Sequence, residues 1–119
     1  MNLRVLVLSL LVAALGMTIA PPVALPQTHA AKTTTVSVTA KEFSFKLSKS
    51  SVPHGKVTFK VVNRGKLKHD FWISGHKTKL LAPGKSATLT VTLSKGKKAY
   101  KCTVAGHAAA GMKGTLKVT

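Results

Sequence analysis

Residues 86–93 read SATLTVTL, and apolar side chains alternate there with hydroxyl-bearing ones without a break. The apolar positions would share one face of an extended chain: Ala87, Leu89, Val91 and Leu93. Alternation with a period of two over four to eight residues is typical of a half-buried β-strand. This stretch therefore predicts a strand that packs one face on an apolar core and leaves the other in water.

The same period recurs on both sides of this stretch. Six further segments alternate in this way, with apolar positions at Val36 and Val38; Phe43, Phe45 and Leu47; Val57, Phe59 and Val61; Phe71 and Ile73; Tyr100, Cys102 and Val104; and Leu116 and Val118. Turn-forming residues separate the segments, and no stretch sustains a helical period. About seven strands at this spacing predict an all-β protein, an antiparallel sandwich or barrel rather than a βαβ sheet.

The first thirty residues predict a secretory signal peptide. Residues 1–4 carry one positive charge, residues 5–20 are mostly apolar, and prolines follow. Small residues at Thr28 and Ala30 suit a signal peptidase, so we expect cleavage between Ala30 and Ala31. A retained membrane anchor is the alternative, but the run is shorter than the roughly 20 residues that cross a bilayer. We therefore expect an exported, extracytoplasmic domain of residues 31–119, whether secreted, periplasmic or associated with the cell envelope.

The composition narrows the possible partners. The chain has 119 residues, enough for one domain, with 19 Lys and Arg against 2 Asp and Glu, a formal net charge of +17. So much positive charge predicts an acidic protein partner or an anionic cell envelope. Nucleic acid is not expected, because Arg64 is the only arginine after residue 30 and base readout favours arginine and aromatic residues. A single cysteine excludes an intramolecular disulfide.

The last predicted hairpin carries the chemistry. Residues 100–114 read YKCTVAGHAAAGMKG and space Cys102, His107 and Met112 as Cys-x4-His-x4-Met. Mostly Ala and Gly lie between these three residues, which allows the backbone to curl tightly around a central atom. We expect Cys102 to close one strand, Met112 to open the next, and His107 to lie on the loop. Upstream, His69 begins the Phe71/Ile73 strand.

A thiolate, two imidazoles and a thioether select a metal by softness. Copper accepts all four donor types, whereas a thioether is a poor ligand for zinc, calcium or magnesium. Two His and one Cys with a long axial Met describe a blue-copper centre, so His69, Cys102, His107 and Met112 are the predicted ligands of one copper ion. The alternatives are a zinc site with a closed Cys/His tetrad, or unrelated core residues.

Residues 100–114, together with residues 63–69, resemble the cupredoxin family of small exported copper proteins. That resemblance implies an eight-stranded Greek-key sandwich with one copper at one end, and it places the same four residues at the ligand positions. Many members have Asn after the first His, where this chain has Asp70. In the family that side chain ties the first ligand's loop to the residue after the Cys, which is Thr103 here, and an Asp could accept the same hydrogen bonds.

The resemblance implies a monomeric one-electron carrier rather than an enzyme. Copper enzymes with this fold add further metal centres, and the remaining histidines of residues 31–119, His54 and His76, are expected to be solvated. The alternative is an extracytoplasmic copper-binding or delivery protein that does not shuttle electrons. Delivery sites are usually more open and richer in Met or His than this one.

By analogy with the family, the exposed edge of the His107 ring would pass the electron. We expect a small apolar patch around it, made of Ala105, Ala108, Ala109 and Ala110. Lysines near this end could steer an acidic redox partner: Lys66, Lys68, Lys77, Lys79, Lys85 and Lys113. A generic solvated surface is the alternative for these lysines.

Overall fold

The computed structural model describes residues 13–25 and 32–119. Their regular structure is entirely β, with no helix in these ranges, as the alternation predicted. Nine strands run in chain order: β1 Thr34–Lys41, β2 Ser44–Leu47, β3 Ser51–Val52, β4 Gly55–Asn63, β5 Trp72–Ile73, β6 His76–Lys77, β7 Ser86–Leu93, β8 Gly96–Lys101 and β9 Lys113–Val118.

The strands form two sheets. The first has the order β2-β1-β4-β7 and the second the order β3-β9-β8-β5-β6. Two strand pairs, β1 with β4 and β3 with β9, are parallel, so the expectation of an antiparallel sandwich was wrong for these pairs. The reason lies in the path of the chain. It folds back along β2, crosses to the second sheet at β3, and returns on the free edge of β1 in the same direction as β1.

The core lies between the two sheets and follows the predicted period. On β4, the buried side chains of Val57, Phe59 and Val61 alternate with more exposed neighbours. Phe59 packs on Phe71, with 5.1 Å between ring centroids, and Phe45 meets Phe71 edge-on at 5.3 Å. Aromatic pairs of this kind favour tilted and edge-to-face contacts. Burial of these apolar faces holds the two sheets together.

One end of the sandwich gathers a second, smaller cluster of buried residues. Ala40, Cys102 and Met112 pack together there, with Phe45 and Val104 against them. The cluster sits where β1, β4 and β8 end and β9 begins. The loops at this end can therefore meet around one point, and the sandwich behind them is a rigid support.

Strand boundaries differ slightly from the prediction at this end. Cys102 and Met112 each lie one residue outside β8 and β9, and Val104 belongs to the loop. Phe43, expected to alternate with Phe45 on a strand, precedes β2 and is 39% exposed.

The predicted cleavage position between Ala30 and Ala31, with most of the predicted signal peptide, lies outside the described residues. Residues 13–25 have no regular secondary structure, and their side chains are exposed. Within residues 13–25 and 32–119, no helix has the length and apolar character needed to span a bilayer.

Candidate metal centre

Three donor atoms from two separate loops converge at the end of the sandwich. Nδ1 of His69 lies 3.1 Å from Nδ1 of His107. The Sγ atom of Cys102 lies 3.6 Å from the His107 nitrogen and 4.0 Å from the His69 nitrogen. All three side chains are buried. Cys102 and His107 lie on the same loop, 33 and 38 residues after His69 along the chain. Only the fold therefore brings the three residues together.

The spacing of these atoms fits a metal ion. A point about 2.1 Å from all three atoms lies between them, and metal–nitrogen and metal–sulfur bonds in proteins are about 2.0–2.3 Å long. An arrangement of two imidazoles and one thiol in a near-trigonal array is also the donor set that suits copper. The residues present therefore fit a copper ion both by distance and by chemistry.

Met112, the fourth predicted ligand, lies next to this triangle. Its side chain is fully buried and packs in the cluster that contains Cys102. A thioether in that position is a weak donor that favours copper over zinc. The geometry therefore places a sulfur-bearing side chain beside the three converging atoms, as the Cys-x4-His-x4-Met spacing predicted.

The loop that carries these residues is held by its own backbone. The amide of Cys102 donates to the carbonyl of Met112 at 3.0 Å, and the amide of Met112 donates to the carbonyl of His107 at 3.0 Å. Gly106 and Gly111 have φ of 83° and 116°, which residues with a Cβ rarely adopt. The sequence between the donors is therefore small because the loop needs these turns.

Asn63 holds the other loop, which carries His69. Its Nδ2 donates to the carbonyls of Leu67 and Leu81 at 2.7 and 2.8 Å, and its Oδ1 accepts from the amide of Gly65 at 2.9 Å. His69 and Leu81 also exchange backbone hydrogen bonds, of 3.1 and 2.7 Å. These bonds fix the backbone of His69 before any metal is present.

Glu42 contacts the far side of the His69 ring. Its Oε1 lies 3.1 Å from Nε2 of His69, opposite the nitrogen that faces Cys102. The amide of Leu67, with help from the amides of Glu42 and Lys66 and the His69 ring, lowers the pKa of Glu42 to about 2. The group is therefore an ionised carboxylate at neutral pH and can only accept hydrogen bonds.

Asp70 links the two loops, as the resemblance implied. Its Oδ1 accepts from the amide of Thr103 at 2.6 Å, and its Oδ2 accepts from the hydroxyl of Thr103. Asp70 is buried, so these hydrogen bonds replace the water that a carboxylate would otherwise bind. Because Asp70 follows His69 and Thr103 follows Cys102, this contact keeps the two donors at a fixed separation.

Burial controls the chemistry of the thiol. Cys102 is 1% exposed, and this desolvation is the main cause that raises the pKa of the thiol; the charge of Asp70 adds to the effect. A metal cation would lower the pKa of the thiol again, because the thiolate is the form that binds metal. Without metal, the group is a protonated, shielded thiol.

His107 is the most exposed of the four predicted ligands. Its exposure is 9%, against 0% for His69 and Met112. The ring of Phe43 lies edge-on against it, with 5.1 Å between centroids. The alanines of the predicted patch, Ala105, Ala108, Ala109 and Ala110, are exposed or half-buried. His107 is thus the predicted ligand nearest the surface.

Other predicted features are placed as follows. His54 and His76 are exposed, as expected, and the ring of His54 bonds the carbonyl of Thr119 at 2.9 Å. All six lysines of the expected steering surface are exposed: Lys66, Lys68, Lys77, Lys79, Lys85 and Lys113. Lys66 and Lys68 lie on the His69 loop, and Lys113 follows Met112.

Sequence reasoning missed three residues that serve the site. Glu42, Phe43 and Asn63 touch or position the two histidines, yet no spacing pattern marks them as site residues. The rarity of acidic residues was the signal that could have found Glu42, because it is one of only two acidic residues in the sequence. No comparable signal marks Phe43 or Asn63.

Comparison with known proteins gives a family and a set of related folds. The cupredoxin-like domain family matches residues 7–118. No curated protein matches the chain. Reduced auracyanin from the photosynthetic bacterium Roseiflexus castenholzii is 22% identical, with a TM-score of 0.63, over 72% of this chain and 97% of that one.

Two further solved structures are similar. Rusticyanin from Thiobacillus ferrooxidans is 24% identical, with a TM-score of 0.64, over 76% of this chain and 79% of that one. Auracyanin A, a blue copper protein from Chloroflexus aurantiacus, is 20% identical, with a TM-score of 0.62, over 74% of this chain and all of that one. At these sequence identities, the comparisons show that the folds are similar and no more.

Proposed function

Because this chain belongs to the cupredoxin-like domain family, we propose that it is an extracytoplasmic type 1 copper protein that carries single electrons between redox partners. The observation that supports this most directly is the convergence of His69 Nδ1, Cys102 Sγ and His107 Nδ1 beside the buried Met112. Auracyanin A, a structural neighbour, is a blue copper protein.

Copper bound by these four side chains would supply reversible one-electron chemistry. The protein's own contribution is to hold the donors in one arrangement. The backbone bonds between Cys102, Met112 and His107 fix one loop, and the Asp70–Thr103 contact ties it to the other. All four side chains are buried, so the sulfur atoms of Cys102 and Met112 are shielded from water. A fixed, dry donor set suits rapid electron exchange, because little has to rearrange.

The proposed exit for the electron is the edge of His107. It is the least buried of the four ligands, and it lies among the small side chains of its own loop and against the ring of Phe43. A surface of this kind suits a brief contact with a redox partner. The exposed lysines on the neighbouring loops supply a positive field that would draw an acidic partner to this end.

An absorption spectrum tests the copper site. Adding Cu(II) to the purified domain should produce an intense blue sulfur-to-copper charge-transfer band, and Cys102→Ser should abolish it. His76→Ala, which removes an exposed imidazole from β6, should keep the full band. A colourless complex of the folded wild-type domain would contradict the proposal.

The redox role needs its own measurement. The copper-loaded protein should exchange electrons quickly and reversibly with a small mediator, and it should keep its copper through repeated cycles. Slow exchange, with ready loss of Cu(I) to a chelator, would instead indicate copper delivery. This result would leave the copper site standing and overturn only the carrier function.

Electrostatic steering can be separated from general charge. Lys66→Gln with Lys68→Gln should slow electron transfer with an acidic partner, and the effect should shrink as salt is added. Lys95→Gln with Lys97→Gln removes the same charge near the β7–β8 turn, at the opposite end of the strands. Equal slowing by both pairs would contradict steering toward the His107 end.

We also propose that the protein is exported after residues 1–30 are removed. Residues 1–30 have the layout of a signal peptide, and an exported copper protein would explain why one unpaired cysteine is tolerated outside the cell. Mass spectrometry of the protein recovered from its native cells should find a chain that begins at residue 31. Recovery of an uncleaved chain from the cytoplasm would contradict this.

A further inference from the structure

Both carboxylates of the sequence lie beside the metal centre. Against 19 basic residues the chain has two acidic ones, Glu42 and Asp70, and each contacts a loop that carries a predicted ligand. Asp70 bonds Thr103 and so joins the two loops. Glu42 instead contacts the ring of a predicted ligand, His69.

The Glu42 carboxylate is itself held in place. Glu42 lies in the turn between β1 and β2, and its Oε1 accepts from the amides of Lys66 and Leu67 at 2.7 and 2.6 Å. Gly65 makes room for it, since a Cβ on Gly65 would lie 2.5 Å from Oε1. The oxygen that faces the His69 ring is therefore fixed by the same loop that carries His69.

The contact determines which nitrogen of His69 carries a proton. A neutral imidazole has one N–H and one bare nitrogen, and a carboxylate can only accept a hydrogen bond. With Oε1 of Glu42 3.1 Å from Nε2, that nitrogen is the donor. Nδ1 is then left with its lone pair pointing toward Cys102 and His107.

We propose that Glu42 is the positioning residue for His69: it accepts the Nε2–H of the ring, fixes the orientation of the ring, and leaves Nδ1 bare and ready to bind a metal. This role rests on the proposed copper site for its purpose, although the tautomer exists with or without metal. Carboxylate partners of ligating histidines act in this way at other metal sites.

The position of the proton on the second imidazole, His107, follows for the metal-free protein as well. The two Nδ1 atoms are 3.1 Å apart, a hydrogen-bond distance, and His69 has no proton on that side. His107 therefore donates its Nδ1–H to His69. For its Nδ1 to bind a metal, the His107 ring must give up this proton and take one up at Nε2, so that it stays a neutral imidazole. His69 needs no such change.

Nitrogen-15 NMR of the metal-free domain tests the tautomers directly. His69 should be protonated at Nε2 and His107 at Nδ1, with His54 and His76 as internal references that the site does not influence. In Glu42→Ala, His69 should lose its single tautomer and show a mixture. A wild-type His69 protonated at Nδ1 would overturn the proposal, whatever the domain does with copper.

Copper affinity, measured by competition with a chelator, gives the second readout. Glu42→Ala should bind about 10- to 100-fold more weakly, the usual loss when such a partner is removed. Glu42→Gln keeps an oxygen acceptor in the same place without the charge, so it should keep the tautomer and lie between wild type and Glu42→Ala. It also serves if Glu42→Ala fails to fold.

Asp70→Asn is the matched control for charge. It removes the other negative charge near the site but does not touch the His69 ring. Asp70→Asn should keep the Nε2-protonated form of His69. If Glu42→Ala and Glu42→Gln both keep that form and wild-type affinity, Glu42 has no positioning role. A wild-type domain that binds no copper would contradict the proposed function, while the NMR result would still decide the role of Glu42.

Discussion

Cys102 shows at the scale of one residue how burial and metal binding are coupled. The thiol is shielded from water, and its pKa is raised above the usual range mainly by that desolvation. A thiol whose pKa is raised above its usual range stays protonated at neutral pH, whereas a metal binds only the thiolate. Metal binding must therefore expel the thiol proton.

We expect copper binding at pH 7 to release at least one proton per ion. The apparent affinity should consequently fall as the pH is lowered, since protons compete for the sulfur. Calorimetry in two buffers of different ionisation enthalpy measures the number released. With Cys102→Ser the thiol's share of this release should disappear. A wild-type binding heat that is independent of the buffer would contradict the prediction.

Met112 acts on the same site through a much weaker interaction. Replacing its thioether with a hydrocarbon of similar size, in Met112→Leu, should keep the blue colour and raise the reduction potential, because the weak axial donor is lost. Cyclic voltammetry measures the potential. Leu93→Met makes the reverse exchange in the core at the opposite end of β7, and it should leave the potential unchanged. An unchanged potential in Met112→Leu would mean that Met112 does not act on the metal.

At the scale of the elements, the site depends on how β4 ends. Asn63 is the last residue of β4 and is fully buried; its side chain makes two hydrogen bonds to the loop that follows, with Leu67 and Gly65, and a third to the carbonyl of Leu81. Every buried side-chain N or O in the described residues has a hydrogen-bond partner, so this network is complete. Loss of Asn63 would leave carbonyls without their donors.

Asn63→Ala should therefore lower the free energy of unfolding by about 2–3 kcal/mol, the cost of losing buried hydrogen bonds. It should also weaken copper binding, because the His69 backbone loses its support. Thr58→Ala, on the same strand but with only one hydroxyl contact at the surface, should cost less than 1 kcal/mol. Urea denaturation of the metal-free domain measures both. Equal costs would show that Asn63 is not a special anchor.

For the whole molecule, the net charge is the dominant property. A chain with +17 net charge repels itself when it folds, and the described structure contains one carboxylate–histidine pair within salt-bridge distance. Salt shortens the range of this repulsion, from about 30 Å at 0.01 M to about 8 Å at 0.15 M. The folded domain should be more stable when the repulsion is screened.

We expect the melting temperature of the metal-free domain to rise between these two concentrations of sodium chloride. Calorimetric scans at pH 7 measure the change. A triple variant with Lys95→Gln, Lys97→Gln and Lys117→Gln, all exposed and distant from the site, should melt higher at low salt and respond less to added salt. A melting temperature that falls with salt would mean that repulsion does not limit stability.

The alternating segments predicted seven of the nine strands in the described residues, since the period of a strand is a local property of the chain; the two-residue strands β3 and β6 show no such alternation. The alternation in β4 and β7 appears in the structure as an inward-facing row of Val, Phe and Leu side chains. The local pattern could not predict which strands are neighbours. The parallel pairing of β1 with β4 depends on the detour of the chain through the second sheet, which no single segment encodes.

The candidate site, too, was predictable in part from the sequence. Cys102, His107 and Met112 lie within eleven residues, so spacing and donor chemistry alone identified them as a group and pointed to copper. No spacing pattern marked Glu42 or Asn63, because their roles depend on contacts with Leu67 and Leu81, which are 25 and 18 residues away along the chain. The sequence determined the donor types, and the tertiary structure decided which nitrogen of each imidazole faces the sulfur. Ring orientation is set by partners that only folding brings within hydrogen-bond distance.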